Sequence, residues 1–202
     1  MKKRKSAGLV ILYKGKILLG HSTGRKPNKG YGIPKGGIEE GETKIDAAIR
    51  ETYEEVGVKV NKRLIETAEY SFEYVNKKHD TYKIIYYFIV NIDKLSQIGL
   101  KKEIISKSDL QLEEIDDARF FSYKEAKELT MYTQQSLISL LLNRGLLESK
   151  TIGGESIEPN QELNPTQENI EEDTRLNKIR RFKGTIKDYK SYWDDRISKG
   201  NN

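Results

Sequence analysis

Apolar and polar positions divide the chain into a few clear segments. Two apolar runs, Gly8 to Tyr13 and Lys16 to Gly20, flank the turn pair Lys14-Gly15 and predict a hairpin at the start of a sheet. The stretch from His21 to Gly30 is polar and turn-forming, and it leads through Tyr31-Gly32-Ile33-Pro34-Lys35 into a different pattern. Ile45, Ala48, Ile49, Thr52 and Val56 recur at helical spacing and predict one buried stripe. Thr43 is placed to cap the start of that helix, Asp46 to be its capping-box partner three residues on, and Gly57 to end it. Leu64 to Val75 and Tyr82 to Ile92 are rich in β-branched and aromatic residues and predict two long antiparallel strands. Asp93 to Leu112 is irregular and polar, a loop with an edge element. Ala118 to Ser122 reads as a short strand, and Lys124 to Leu129 and Tyr132 to Leu147 read as helices. Leu137, Ile138, Leu140, Leu141 and Leu142 form the core face of the second helix.

This periodicity stops at about Ser149. From Thr151 to Thr174 there is no lysine or arginine, while Glu155, Glu158, Glu162, Glu168, Glu171, Glu172 and Asp173 accumulate among polar residues. Such a segment has too little apolar surface to order itself. Beyond it, Arg175, Lys178, Arg180, Arg181, Lys183, Lys187 and Lys190 interleave with Leu176, Ile179, Phe182, Ile186, Tyr189 and Trp193, the spacing of a basic amphipathic helix. The expected organisation is therefore a folded domain over 1–149, an acidic linker over 150–174 and a basic helical segment over 175–202. A chain of 202 residues accommodates this plan. The net charge of +5 and pI near 9.1 are modest, and the charge is unevenly distributed rather than spread as a general nucleic-acid stripe. Without cysteine the chain has no disulfide and no thiolate metal site, which fits a reducing cytosol and gives the expectation of a cytoplasmic protein. The apolar run after the basic start MKKRK is short and broken by Lys14 and Lys16, a first strand rather than a signal peptide or membrane span.

Candidate chemistry is concentrated between Gly36 and Val58. Glu39, Glu40, Glu42, Glu51, Glu54 and Glu55 crowd a glycine-rich loop and the helix it enters. Glu51, Glu54 and Glu55 stand at i, i+3 and i+4 and are expected to project together, where like charges repel by a few tenths of a kcal/mol per pair. A solvated acidic face is the plain reading. A hard divalent cation reverses the sign of the repulsion, because it takes oxygen ligands and keeps waters that a phosphate can replace. The spacing favours the second reading: Gly36, five residues, Glu42, seven residues, Arg50-Glu51, then Thr52, Tyr53, Glu54-Glu55, Val56, Gly57 and Val58. This resembles the signature of the Nudix hydrolases, Gly-x5-Glu-x7-Arg-Glu-U-x-Glu-Glu-x-Gly-U with U apolar. Every fixed position is met except Thr52, where an aliphatic residue is more usual.

The resemblance implies a Nudix-type α/β/α sandwich with a mixed sheet, and hydrolysis of a nucleoside diphosphate linked to some group X with Mg2+ or Mn2+ as cofactor. It implies a metal-binding set made of the Gly36 carbonyl and the carboxylates of Glu51, Glu54 and Glu55, with Glu51 alternatively orienting or deprotonating the water. Arg50 is expected to pair with Glu42 or Glu51 and fix the carboxylates. A further acid is expected from the loop before the last strand, where Glu114 stands six positions before Phe120 and Glu113, Asp116 and Asp117 compete with it. Lys35 and Arg25, with Lys26 and Lys29, are candidates to hold substrate phosphates. Pro34-Lys35-Gly36-Gly37, Gly41-Glu42 and Tyr74, sixteen positions after Val58, look like the diadenosine polyphosphate hydrolase branch, in which the Tyr74 ring would stack on adenine. Tyr31 stands where that branch commonly has tryptophan. Two alternatives accompany this reading. One is an RNA 5′-end pyrophosphohydrolase or decapping enzyme, with RNA held by the basic tail; the other is a nucleotide sensor that binds without cleaving. For the tail, docking on the domain, self-association and partner binding remain open.

Overall fold

The computed structural model describes residues 2–76 and 80–148. The linker expected over 150–174 and the basic helix expected over 175–202 lie outside the described residues. The first apolar runs form β1 (Lys2–Tyr13) and β2 (Lys16–Ser22), joined by a two-residue turn at Lys14 and Gly15, both at positive φ. Two short strands follow, β3 (Tyr31–Gly32) and β4 (Lys35–Gly37), and then helix α1 (Lys44–Val56). The Thr43 side chain accepts from the Asp46 N–H at the start of α1, and Gly57 ends the helix at φ 68°, both as the sequence predicts. The long strands are β5 (Ile65–Asn76) and β6 (Thr81–Ile92), paired antiparallel. Between β6 and β7 (Ile115–Phe121), two 3-10 turns, Leu95–Ile98 and Lys107–Asp109, interrupt the expected loop, with an edge bridge from Ile104 to Arg119. Helices α2 (Tyr123–Leu129) and α3 (Tyr132–Asn143) complete the described chain. α3 is shorter than its apolar pattern predicts: Arg144 caps it and Gly145 turns at φ 68°, so Leu146 and Leu147 pack after the helix instead of on it.

The sheet runs β3-β2-β1-β6-β5, with β4 on β1 and β7 on β2. β1 pairs parallel with β6 along its whole length and antiparallel with β2 and β4, so the sheet is mixed. Alternation along the strands sends Leu9, Ile11, Leu18, Phe88 and Val90 to one face, under α1 with Ala47, Ala48 and Val56. It sends Val10, Leu12, Leu19, Tyr87 and Ile89 to the other, under α2 and α3 with Leu137, Ile138 and Leu141. The result is the α/β/α sandwich with a mixed sheet. Thr52 fits its apolar stripe because its hydroxyl donates to the Ala48 carbonyl at 2.8 Å, leaving the methyl for the core.

One close approach inside this frame bears on the candidate site. β4 is short and polar, and it lies on β1 with Lys35 opposite Gly8 and Gly36 opposite Ala7. A Cβ on Gly8 would fall 2.4 Å from the Pro34 carbonyl oxygen and 2.7 Å from the Lys35 Cβ. Gly8→Ala is therefore expected to push β4 off β1 and to destabilise the fold by about 1–3 kcal/mol in urea unfolding. A variant with the parental midpoint would show that β4 does not depend on this contact.

Candidate active site

The carboxylates of the acidic motif are held by one guanidinium. Arg50 donates through Nε and Nη2 to the two oxygens of Glu42, each at 2.9 Å, and through Nη1 to Glu51 Oε1 and Glu54 Oε2, also at 2.9 Å. Its Nη2 reaches the Gly37 carbonyl at 2.8 Å, which ties α1 to the glycine-rich loop. The pairing expected from sequence is thus present with both partners at once. The hydrogen bond from Arg50 holds the Glu42 carboxyl below its ordinary value.

The three helix carboxylates do not project as one group. At 3.6 residues per turn, positions 54 and 55 are about 100° apart around a helix. Glu54 is exposed at the Arg50 side, while Glu55 turns inward, is 7% exposed and accepts from the Lys35 N–H at 3.0 Å. Glu51 lies between them against Gly36, where a Cβ would fall 1.9 Å from its Oε2. Only glycine leaves room for that carboxylate. Burial raises the Glu55 pKa to about 7; the charges of Glu51 and Glu114 push in the same direction, and the Lys35 ammonium and N–H oppose them. Burial also raises Glu51, with Arg50 opposing and Glu54 and Glu114 adding to the rise.

Glu114 is the loop acid whose charge is felt at both Glu51 and Glu55. Two of its sequence competitors are engaged elsewhere. Asp116 binds His21 Nδ1 at 2.5 Å, and Asp117 accepts from the Tyr31 hydroxyl at 2.6 Å and from Arg119 Nε at 2.9 Å. Burial, with the hydrogen bond to Asp117, pushes the Tyr31 hydroxyl up to about 12. The His21 ring was not singled out by sequence reasoning, yet it joins the two loops that flank the acids. Its Nε2 faces the carbonyls of Lys26 at 3.0 Å and Lys29 at 3.1 Å while Nδ1 faces a carboxylate, so acceptors surround both nitrogens. Burial lowers its pKa, but the bonds to Asp116 and the two carbonyls outweigh that and leave it raised. Thr23 completes the join, its N–H on the Glu114 carbonyl and its hydroxyl on the Leu112 carbonyl, both at 2.8 Å. Gln134 of α3 was also missed: its Oε1 accepts from the buried Ile33 N–H at 2.8 Å and so fixes the segment entering β4. No spacing in the sequence links residues about a hundred positions apart.

The expected phosphate and base contacts separate in space. Lys35 stands at the acids through its N–H and its charge. Arg25 is exposed and packs on Gly30; among the described residues no ion pair or hydrogen bond joins its side chain to the carboxylates. Tyr74 is half-buried in the α3-side core with the Lys83 ammonium 5.9 Å from its ring centre.

The four carboxylates expected as ligands, Glu51, Glu54, Glu55 and Glu114, offer only oxygen donors, which suits a hard divalent cation, and the Glu51 carboxylate fills the space that glycine leaves at position 36. Among the described residues no three acidic or histidine side chains stand close enough together to hold a metal ion. Arg50 takes one oxygen of Glu51 and one of Glu54, and the remaining oxygens repel one another. Among the described residues, no helix is long and apolar enough to cross a membrane.

Comparison with known proteins gives one family. The NUDIX domain model matches residues 2–141. An RNA pyrophosphohydrolase of Bartonella clarridgeiae is 38% identical over 78 residues, which is 35% of this chain and 44% of that protein. The chain therefore spans less than half the length of the curated relatives it matches. A MutT NUDIX hydrolase from Burkholderia pseudomallei superposes with a TM-score of 0.53 at 16% identity, covering 68% of this chain and 97% of that one. A NUDIX hydrolase from Nitrosomonas europaea gives 0.53 at 18% identity, covering 79% and 100%. The two structural likenesses show the fold.

Burial of Glu55 sets a pH dependence for the metal-free protein. Its carboxyl keeps a proton up to about 7 when folded but only to about 4.5 when unfolded, so its contribution is full below pH 4.5 and is lost as pH rises through 7. The loss is on the order of 2–3 kcal/mol. Urea unfolding in chelator between these pH values should show a falling term in the parent that Glu55→Gln removes; equal slopes in the two proteins would refute the assignment.

Proposed function

Since the chain belongs to the NUDIX domain family, we propose that it is a divalent-metal-dependent pyrophosphohydrolase acting on a nucleoside diphosphate linked to a further group. The observation that supports this reading is the Glu51 carboxylate seated against Gly36, with Glu55 buried on the Lys35 N–H of the same strand and Arg50 fixing the other acids of the motif. The residues that would hold Mg2+ or Mn2+ are Glu51, Glu54, Glu55, Glu114 and the carbonyl of Gly36. A bound ion of this kind neutralises pyrophosphate charge and lowers the pKa of water.

The chain's own residues supply positioning and proton transfer. Water that attacks one phosphorus must lose a proton as the bridging P–O bond breaks. Glu51 is the acceptor favoured by position: Arg50 fixes Oε1, Oε2 lies against Gly36, and burial has raised its affinity for a proton. Glu54 and Glu42 are held by the same guanidinium, so the acids keep their places when phosphates arrive. Lys35 adds positive charge where the phosphates would lie, and its N–H holds Glu55.

A dinucleoside polyphosphate is the leading substrate, supported by Lys35 and by a half-buried Tyr74 carrying a cation on its ring. An RNA 5′ end is the second reading, favoured by the name of the Bartonella relatives and by the exposed basic run Lys2 to Lys5 on β1. In that reading the basic segment 175–202 adds contacts to the RNA backbone, and 150–174 serves as its linker.

Glu51→Gln, Glu54→Gln and Glu55→Gln should each lower kcat on the true substrate by about 10²-fold or more, with chelator abolishing turnover. Full activity in these variants, or in excess chelator, would sink the enzymatic reading; nucleotide binding without turnover across substrates and metals would replace it with the sensor. Diadenosine tetraphosphate and triphosphorylated RNA, assayed side by side with and without residues 174–202, separate the two substrates. Loss confined to RNA at low salt identifies the tail as an RNA contact, and equal losses on both remove that role.

A further inference from the structure

The ladder between β2 and β7 is irregular at one place, next to the loop acid. Ile17 to His21 pair in step with Phe121 to Asp117, but the next residue, Ser22, pairs with Ile115. Asp116 is thus the extra residue of a β-bulge. A regular ladder would pair Ser22 with Asp116 and displace Ile115 and Glu114 by one place, and a slip of one residue turns each side chain to the opposite face. The bulge therefore sets which way Glu114 leaves the strand, and the charge of Glu114 is felt at Glu51 and Glu55.

His21 holds this bulge. Its ring is buried beside Tyr31, with ring centres 4.9 Å apart. Nδ1 lies 2.5 Å from the Asp116 carboxylate, and Nε2 lies 3.0 and 3.1 Å from the carbonyls of Lys26 and Lys29. Two residues on, the Thr23 N–H donates to the Glu114 carbonyl at 2.8 Å. All the ring's polar partners are acceptors, so both nitrogens must carry a proton for both ends to be bonded. A neutral imidazole has one N–H and would leave a lone pair against an acceptor where water scarcely reaches. The other titratable and charged groups here are Asp117, opposite His21 in the ladder, with Arg119 and the Tyr31 hydroxyl, which both donate to Asp117. Burial lowers the pKa of the ring, but the bonds to Asp116 and the two carbonyls outweigh it and leave it raised. The stabilisation from these contacts is therefore complete below pH 6.5 and is lost as pH rises through the raised value.

We propose that His21 is a positioning residue for Glu114: as an imidazolium it pins Asp116 in the bulge and the turn over 22–30 against it, so that the loop acid is in place only while both ring nitrogens carry protons. The assignment deepens the pyrophosphohydrolase reading and rests on it only for the role of Glu114.

The full chain in metal-free buffer tests the pinning. Long-range proton–nitrogen correlation of the imidazoles, with His79→Gln to separate the two histidines, should show His21 more than half doubly protonated at pH 6.5. The exchange protection of the Thr23 amide should fall about tenfold or more as that ring loses its proton, the effect of losing one hydrogen bond to a charged group. The Phe120 amide, bonded to the Glu103 carbonyl, is the control. In Asp116→Asn the new amide can donate to a neutral Nδ1 while Nε2–H keeps the carbonyls, so protection should hold within about twofold over the same pH range. A ring mostly neutral at pH 6.5, Thr23 protection indifferent to its titration, or an Asp116→Asn protein that loses protection as the parent does overturns the proposal. Mn2+ titration followed by electron paramagnetic resonance reads the consequence for the acids. The affinity of the parent relative to Asp116→Asn should drop about tenfold across the ring's titration, the ratio cancelling the titration of the helix acids. A protein that binds no Mn2+ but keeps the pH-dependent protection upholds the pinning and removes the metal reading, whereas Mn2+ binding with a flat ratio overturns the role of His21 and leaves that reading.

Discussion

The site depends on a single guanidinium that touches three carboxylates and a loop carbonyl. Arg50 lies in the middle of α1, and its five donors reach Glu42 before the helix, Glu51 and Glu54 on it, and Gly37 in the strand ahead. A lysine at this position could not make that fork, because its donors radiate from one atom. Without Arg50 the carboxylates would repel one another and the loop from Gly36 to Thr43 would lose its fastening to α1. With it, a set of acids that is unfavourable by itself is fixed in place.

The second constraint is the small size of the residues where β4 meets β1 and α1. Gly8 lets the Pro34–Lys35 backbone close on the central strand, and Gly36 lets the Glu51 carboxylate close on β4. Lys35 is left between two environments. Its backbone N–H holds a buried acid of α1, and its charge acts on Lys83 of β6 as well as on that acid.

The loops around the acids are held by polar contacts as well as by the packing of Tyr31 and Ile33 in the core. His21, Thr23 and Tyr31 fasten the basic turn and β3 to the start of β7, through Asp116, the Glu114 carbonyl and Asp117. Gln134 fastens the following segment from the other helix layer. These bonds fix where Glu114 and Lys35 stand relative to α1. Loops of this kind keep a functional group placed while the core supplies the rigidity.

Local chemistry was enough to determine the elements and the identity of most of the acids. Alternation marked the strands, the 3.6-residue period and the Thr43 and Gly57 caps marked α1, and the spacing from Gly36 to Val58 marked the carboxylate set, all of which depend on neighbours within a few positions. Tertiary structure alone decided which acid is buried and which loop acids are engaged by other side chains. Glu55 differs from Glu54 only because β4 lies on its side of the helix, and Asp116 and Asp117 are excluded by His21 and Tyr31 about ninety positions away. Burial and electric field are sums over neighbours in space, and a chain read in order contains no record of those neighbours.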